Sequence, residues 1–161
     1  MSRPLVIGYG NPLRQDDGLG WRAAELLERA MPAREVRILE TRQLTPELTA
    51  ELGAAPLVIF LDAAVDLEPG AVATKRVLPE NKTVWSHDLS PAQLTGLTDL
   101  LTGTERPVFQ ITGGVCQTAF GENLTPAGEE SAKRMAEAAI VLLRLRHFPQ
   151  CPQKKKVGSK C

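Results

Sequence analysis

The sequence predicts an α/β fold in which a mostly parallel sheet is covered by helices on both faces. Short apolar runs typical of buried strands alternate with segments whose apolar residues recur at helical spacing. This alternation favours parallel strands joined by right-handed helical crossovers. The 161 residues, of which 43% are hydrophobic, suffice for one core. We expect one α/β domain over residues 1–148 and a disordered basic tail over residues 149–161.

The first third of the chain predicts a strand, a loop, a helix and a second strand. The apolar run 5–9 stops at a Gly-Asn-Pro sequence, as a buried strand that enters a loop does. Apolar residues then recur at helical spacing from Leu19 to Ala30, and Pro32 ends the pattern. Residues 35–39 predict the second strand, and Thr45-Pro46 predict the start of a short helix.

The remainder of the chain continues the alternation. The most apolar strand is predicted over 57–61, and a weaker one over 71–78. Ser90-Pro91-Ala92-Gln93 has the pattern of a capping box and predicts the start of a helix. A last strand is predicted over 108–111, and a long final helix over 125–145.

Charge and composition exclude several classes of protein. Basic and acidic residues number 19 each, and because the tail is basic the remainder is mildly acidic. Without a basic excess, and with only 4% aromatic residues, nucleic-acid binding is not expected. Three cysteines without a CxxC spacing favour a reducing compartment and no structural zinc. With no signal-peptide pattern and no apolar run of about 20 residues, we expect a cytoplasmic protein without membrane insertion.

The loop over residues 8–18 carries two adjacent acids, Asp16 and Asp17. A dinucleotide-binding loop is disfavoured because Leu13 breaks the GxGxxG spacing and the two acids would repel a pyrophosphate. Asp16 is interpreted mainly as a helix cap. Adjacent carboxylates repel each other unless a cation or solvent relieves them, so the pair, and Asp17 above all, also suits a cation site.

Asp62 and His87 are the other candidate site residues. Asp62 sits at the carboxyl end of the most apolar strand, where a carboxylate is costly to desolvate unless it caps a turn, is paired or binds a metal. In a 2-1-3 strand order, Asp17 and Asp62 are expected to face one cleft. His87, in the polar loop before Ser90, is either a surface residue or the third donor. Two carboxylates and one imidazole suit nickel or zinc.

Other side chains give weaker signals for catalysis. Cys116 is an alternative nucleophile with His87 as its base, although a buried cysteine usually serves packing. Ser86 and Ser90 lack the GxSxG pattern, which disfavours a serine hydrolase. His147, at the end of the last helix, is interpreted as structural.

Five segments of the chain, taken together and in their order, form a recognisable pattern. They are Ile7–Gly20, Gln43–Leu48, the apolar strand that ends in Asp62, Ser86–Pro91 and Phe120–Thr125. In this order, over about residues 5–145, they resemble the nickel-iron hydrogenase maturation endopeptidases. The Gly-Asn loop with its paired acids is the most specific of them.

The resemblance implies a three-layer α/β/α fold of the phosphorylase/hydrolase-like type. It also implies a protease that removes a short C-terminal extension from a hydrogenase large-subunit precursor after nickel insertion. The cofactor is then the nickel that the precursor supplies, and a surrogate divalent metal would bind the same site. We expect the precursor to be the partner and the protein to be a monomer.

The resemblance also implies roles for residues of this chain. Asp17, Asp62 and His87 are predicted to contact the metal, and Asp17 or Asp62 is predicted to activate the hydrolytic water. Some members place glutamate where Asp17 stands. Others carry the histidine within the following helix, where this chain has Ala92, so His87 is predicted to serve instead.

Substrate contacts are predicted for Gly10, Asn11 and Asp16, which belong to the same loop. Two alternatives to a metal-dependent or aspartic-type endopeptidase stay open. One is a non-catalytic chaperone that binds the precursor without cutting it, and the other is a cysteine hydrolase that uses Cys116.

Overall fold

A computed structural model describes residues 2–81, 86–116 and 118–145. In these ranges the strands are β1 (Leu5–Tyr9), β2 (Arg37–Thr41), β3 (Val58–Ala64), β4 (Val72–Arg76) and β5 (Val108–Gly114). The α-helices are α1 (Leu19–Ala30), α2 (Thr49–Gly53), α3 (Pro91–Thr102) and α4 (Pro126–Arg144). The 3₁₀ turns Gln15–Gly18 and Pro46–Leu48 lead into α1 and α2.

The strands form a sheet in the order β2-β1-β3-β5-β4. β1, β2, β3 and β5 are parallel, and β4 pairs antiparallel with β5 at the edge of the sheet. The predicted mostly parallel sheet and the predicted 2-1-3 order are therefore confirmed. Because parallel strands end at the same side of a sheet, β1, β3 and β5 share one rim, which we call the carboxyl edge.

Helices cover both faces of the sheet. On one face, α1 and α4 pack against the strands through residues that include Leu27, Met135 and Ile59. On the other face, α2 and α3 contribute Leu52 and Leu94 to a second apolar cluster. Successive strand residues point to opposite faces, which is why each strand supplies both clusters. The expected three-layer α/β/α arrangement is confirmed.

The predicted limits are right for β1 and α1, whereas β3 and β5 both run three residues beyond their predicted ends. Parallel pairing continues through Asp62 and Thr112 to Ala64 and Gly114. The apolar pattern stops earlier because this end of the sheet is only partly covered. Asp62, predicted to end the apolar strand, consequently lies two residues before the end of β3, and the predicted end of the strand is corrected.

Close backbone packing brings the start of α1 against the sheet. A Cβ atom on Gly20 would lie 2.3 Å from the carbonyl oxygen of Leu61, and one on Gly8 would lie 2.3 Å from the carbonyl oxygen of Gly20. Only glycine allows these approaches. The preceding 3₁₀ turn, which contains Asp17, is thereby held beside β1 and β3.

Two helix starts follow their sequence signals. Ser90 forms the predicted capping box with Gln93 at the start of α3. Thr125 caps α4 by accepting a hydrogen bond from the backbone N–H of Gly128. None of the helices in the described ranges is both long enough and apolar enough to span a membrane. The predicted boundary between residues 148 and 149, and His147, lie outside the described residues.

Candidate active site

Asp62 places a carboxylate at the carboxyl edge, in the centre of the sheet. It stands on β3 between β1 and β5, and its strand partner is Thr112. The side chain is partly buried, and Oδ1 accepts a hydrogen bond of 2.8 Å from the backbone N–H of Ala63. The rigid neighbouring strands therefore fix the position of this carboxylate.

Tyr9 and Gln110 lie beside Asp62 on the two adjacent strands. The Tyr9 hydroxyl hydrogen bonds to the Asp62 carboxylate and accepts a bond of 3.1 Å from Nε2 of Gln110. The Tyr9 ring packs edge-on against Phe60, with a centroid distance of 6.2 Å. The carboxylate is thus connected to a network of polar side chains within the sheet.

Burial raises the pKa of Asp62 from 3.8 to about 6. Hydrogen bonds from Tyr9 and from the Ala63 N–H oppose this rise, and the negative charge of Asp17 adds to it. Burial is also the main cause that raises the pKa of the Tyr9 hydroxyl, and the nearby charge of Asp62 is the second. Asp62 is therefore a carboxylate whose protonation changes close to neutral pH, next to a tyrosine that keeps its proton.

Asp17 approaches this carboxylate from the loop after β1. Its Oδ2 accepts a hydrogen bond of 3.1 Å from the backbone N–H of Asn11, and its side chain is partly buried. Gly10 has a φ of 134°, and a Cβ there would lie 2.2 Å from the carbonyl oxygen of Asp17. The loop can close on Asp17 only with glycine at this position.

Asn11 shapes the same loop with its side chain. Its Oδ1 accepts a hydrogen bond of 3.0 Å from the backbone N–H of Leu13, which forms an Asx turn. Gly10 and Asn11 therefore stand next to Asp17, where they were predicted to contact substrate. That contact stays a prediction.

Asp16 has a different environment from Asp17 although the two are adjacent. It is completely buried, and its carboxylate accepts hydrogen bonds from the backbone N–H groups of Cys116 and Thr125 at 2.8 and 2.9 Å. The Thr125 hydroxyl also donates to it. Asp16 therefore ties the 3₁₀ turn to the cap of α4 rather than capping its own helix. Asp16 has no exposed surface in this structure, and its predicted contact with substrate stays a prediction.

His87 lies in the segment that leads into α3, and its side chain is exposed. The nearby Leu89 is buried, and its N–H donates to the carbonyl of Leu44, which fixes this segment beside the loop after β2. The pKa of Glu47 is lowered by a hydrogen bond from Thr45 and, to a smaller extent, by the charge of His87. His87 is thus near Glu47.

A three-residue metal cluster does not form in this conformation. Across residues 2–81, 86–116 and 118–145, no three His, Cys, Asp or Glu side chains are close enough to hold one ion. The structure brings Asp17 and Asp62 near each other, and the charge of Asp88, next to His87, acts on Tyr9. The metal contact of His87 stays a prediction.

The alternative nucleophiles make structural contacts within the part of the chain that the structure describes. Cys116 is an exposed free thiol whose backbone N–H supports Asp16. The Ser90 hydroxyl accepts from the Gln93 N–H as the cap of α3, and the Ser86 hydroxyl bonds to the backbone of Asp88. These contacts explain both serines without a catalytic role.

An acidic groove of about 550 Å³ runs beside the loop. Its lining includes Trp21, Arg22 and five glutamates, namely Glu25, Glu28, Glu40, Glu122 and Glu129. Burial raises the pKa of Glu40, and the charges of Glu28 and Glu25 raise it further. Asp17 and Asp62 do not line this groove, so the candidate site is separate from it.

Comparison with known proteins identifies structures with the same fold. No family model and no curated protein matches the chain. The E. coli hydrogenase maturating endopeptidase HybD is 28% identical, with a TM-score of 0.70 over 89% of this chain and 93% of that one. The NiFe hydrogenase maturation protease HycI from Thermococcus kodakarensis is 24% identical, with a TM-score of 0.71 over the same shares. The predicted resemblance to the hydrogenase maturation endopeptidases is confirmed.

The sequence predicted two of the four side chains that form the site. Asp17 and Asp62 follow from the loop motif and from a charge in an apolar strand. Tyr9 and Gln110 were missed, although both left a signal. Tyr9 is the sole tyrosine and ends β1, and Gln110 is a polar residue inside an apolar strand, where it needs a hydrogen-bond partner.

Proposed function

We propose that this chain is an endopeptidase that removes the C-terminal extension of a nickel-loaded NiFe hydrogenase large-subunit precursor. One observation carries the proposal. Asp17 and Asp62, from separate parts of the chain, approach each other at the carboxyl edge of a sheet with the maturation endopeptidase fold. In α/β sheets this edge is where ligands bind.

Peptide hydrolysis can proceed with Asp62 as the general base. A carboxylate with a pKa of about 6 is mostly ionised at neutral pH and is a stronger base than an ordinary aspartate. It takes a proton from water as the water oxygen attacks the peptide carbonyl carbon. It then returns this proton to the leaving nitrogen as the C–N bond breaks, which regenerates the carboxylate. Asp17 shares the site with Asp62.

Nickel enters this proposal as part of the substrate. Asp17 and Asp62 supply two carboxylates, and His87 supplies an imidazole from the segment beside the loop after β2. This mixture of donors suits a borderline divalent metal. Binding the metal holds the scissile peptide beside Asp62, which accelerates the reaction by positioning. Metal polarisation of the carbonyl would add to this effect.

The direct test is incubation of nickel-loaded precursor with the purified protein, followed by mass spectrometry of the precursor. We expect a loss of mass equal to the C-terminal extension, and no loss from precursor that lacks nickel. An unchanged mass with bound precursor would contradict the endopeptidase and support the chaperone. Equal cleavage of both precursors would contradict nickel recognition.

Three variants assign the residues. Asp17→Asn and Asp62→Asn should each abolish processing while the protein stays folded, and His87→Ala should do the same if it binds the metal. Glu105→Gln is the matched control because Glu105 is exposed and precedes β5, at the opposite edge of the sheet. Full turnover by His87→Ala would remove His87 from the site.

We also propose that the protein acts as a cytoplasmic monomer. The cysteine pattern supports a reducing compartment, and the exposed Cys116 is a free thiol. Size-exclusion chromatography with light scattering should give the mass of one chain, 17.5 kDa. A mass of two chains would contradict the monomer.

A further inference from the structure

Three polar side chains form a row across the centre of the sheet. Tyr9 ends β1, Asp62 lies in β3 and Gln110 lies in β5, and these strands are neighbours in the order β1-β3-β5. The pairing of Gly8 with Leu61 and of Phe60 with Gln110 fixes their relative heights. The contacts between the three side chains place them on one face of the sheet.

The direction of the hydrogen bonds follows from the groups involved. Nε2 of Gln110 donates to the Tyr9 hydroxyl oxygen over 3.1 Å. An ionised carboxylate only accepts hydrogen bonds, so the hydroxyl proton of Tyr9 is donated to Asp62. Hydrogen-bond donation along the row therefore runs from Gln110 to Tyr9 and from Tyr9 to Asp62.

Two hydrogen bonds restrain the Asp62 carboxylate. The backbone N–H of Ala63 holds Oδ1 at 2.8 Å, and the Tyr9 hydroxyl is the second donor. Tyr9 itself has little freedom because its ring packs edge-on against Phe60, with an interplanar angle of 89°. These contacts restrain the Asp62 side chain before any substrate binds.

We infer that Tyr9 is a positioning residue for Asp62, and that Gln110 acts on Asp62 only through Tyr9. The inference rests on the proposed function, in which Asp62 takes part in peptide hydrolysis. Without the hydroxyl, the carboxylate keeps one anchoring bond and rotates away from the productive geometry. Supporting groups of this kind affect activity by about 10- to 100-fold.

The kinetic test uses Tyr9→Phe, Gln110→Met and the double variant in the precursor assay. Tyr9→Phe keeps the ring against Phe60 and removes only the hydroxyl, and kcat/KM should fall about 10- to 100-fold. Gln110→Met alone should cause a smaller loss, and it should cause none in the Tyr9→Phe background. Additive losses in the double variant would overturn the inferred order of the row.

Thr98→Val is the matched control for loss of a buried hydroxyl. The Thr98 hydroxyl is buried within α3 and donates to the carbonyl of Leu94 over 2.7 Å. Thr98→Val should lower stability and leave kcat/KM unchanged. If it lowered kcat/KM as much as Tyr9→Phe, the effect of Tyr9 would be one of general stability and the inference would fail.

A spectroscopic test needs no precursor. Because Tyr9 is the sole tyrosine, the tyrosine Fermi doublet in the ultraviolet resonance Raman spectrum reports this hydroxyl alone. The wild-type doublet should indicate a hydroxyl that both donates and accepts. Donation should be lost in Asp62→Ala, and acceptance should be lost in Gln110→Met. A doublet that is identical in wild type and Asp62→Ala would overturn the contact.

The two tests separate this inference from the proposed function. A wild-type protein that leaves nickel-loaded precursor intact would contradict the proposed endopeptidase, and the Raman comparison would still decide the Tyr9–Asp62 contact. A wild-type protein that cleaves the precursor, with Tyr9→Phe cleaving at the same kcat/KM, would overturn the positioning role alone.

Discussion

Replacement of Asp16 should separate its role from that of its neighbour Asp17. In Asp16→Ala, the backbone N–H groups of Cys116 and Thr125 lose an acceptor that now lies 2.8 and 2.9 Å away. Each orphaned donor costs about 1–3 kcal/mol, which gives about 2–6 kcal/mol for the pair. Entry of water into the small space left by the carboxylate reduces the cost, so we expect a loss of about 3 kcal/mol.

Urea unfolding at neutral pH measures this loss. For a chain of this size, a loss of 3 kcal/mol corresponds to a fall in Tm of about 6–12 °C in a parallel thermal experiment. Asp17→Ala is the matched control, because it removes a partly buried carboxylate with one backbone donor, at a cost of about 1 kcal/mol. The reasoning would be refuted if Asp16→Ala unfolded like wild type, or if Asp17→Ala cost as much.

Other substitutions test the site and its support. Because burial raises the pKa of Asp62 from 3.8 to about 6, the stability that this group contributes is complete below pH 3.8 and is lost as pH rises through about 6. The free energy of unfolding of Asp62→Asn should therefore increase relative to that of wild type by up to about 3 kcal/mol as pH rises from 3.8 through about 6. Urea unfolding at several pH values measures this, and a difference between the two proteins that does not change with pH would contradict it. In Gly20→Ala, the new Cβ would lie 2.3 Å from the carbonyl oxygen of Leu61, and the free energy of unfolding should fall by about 2–4 kcal/mol in the same assay. An unchanged urea midpoint would show that α1 moves away from the sheet without cost. Cys116→Ala should process the precursor at the wild-type rate, and loss of processing would instead support the cysteine hydrolase.

Much of the fold could be predicted because local patterns and tertiary structure agree. β1 and α1 have their predicted limits, since a glycine and a proline mark their ends. The ends of β3 and β5 could not be predicted from hydropathy, because their last three residues lie near the site and the apolar pattern stops there. Strand pairing, which continues to Ala64 and Gly114, depends on the neighbouring strand rather than on the local sequence.

The site was predictable only in part. A charge in an apolar strand pointed to Asp62, but sequence adjacency could not show that Asp16 and Asp17 have different environments. The 3₁₀ turn directs Asp16 toward Thr125, which is 109 residues away in the sequence, and such a contact has no local signature. Tyr9 and Gln110 depend equally on which strands are neighbours, and this follows from topology.

The direction of α4 has a practical consequence for attaching the protein to a surface. The helix begins at the carboxyl edge, where Thr125 contacts Asp16, and its 19 residues extend about 28 Å along the sheet. β1, in contrast, starts at the rim opposite the site, close to residue 2. An immobilisation tag or fluorescent fusion joined near residue 2 therefore leaves the carboxyl edge facing away from the support, open to a large protein substrate.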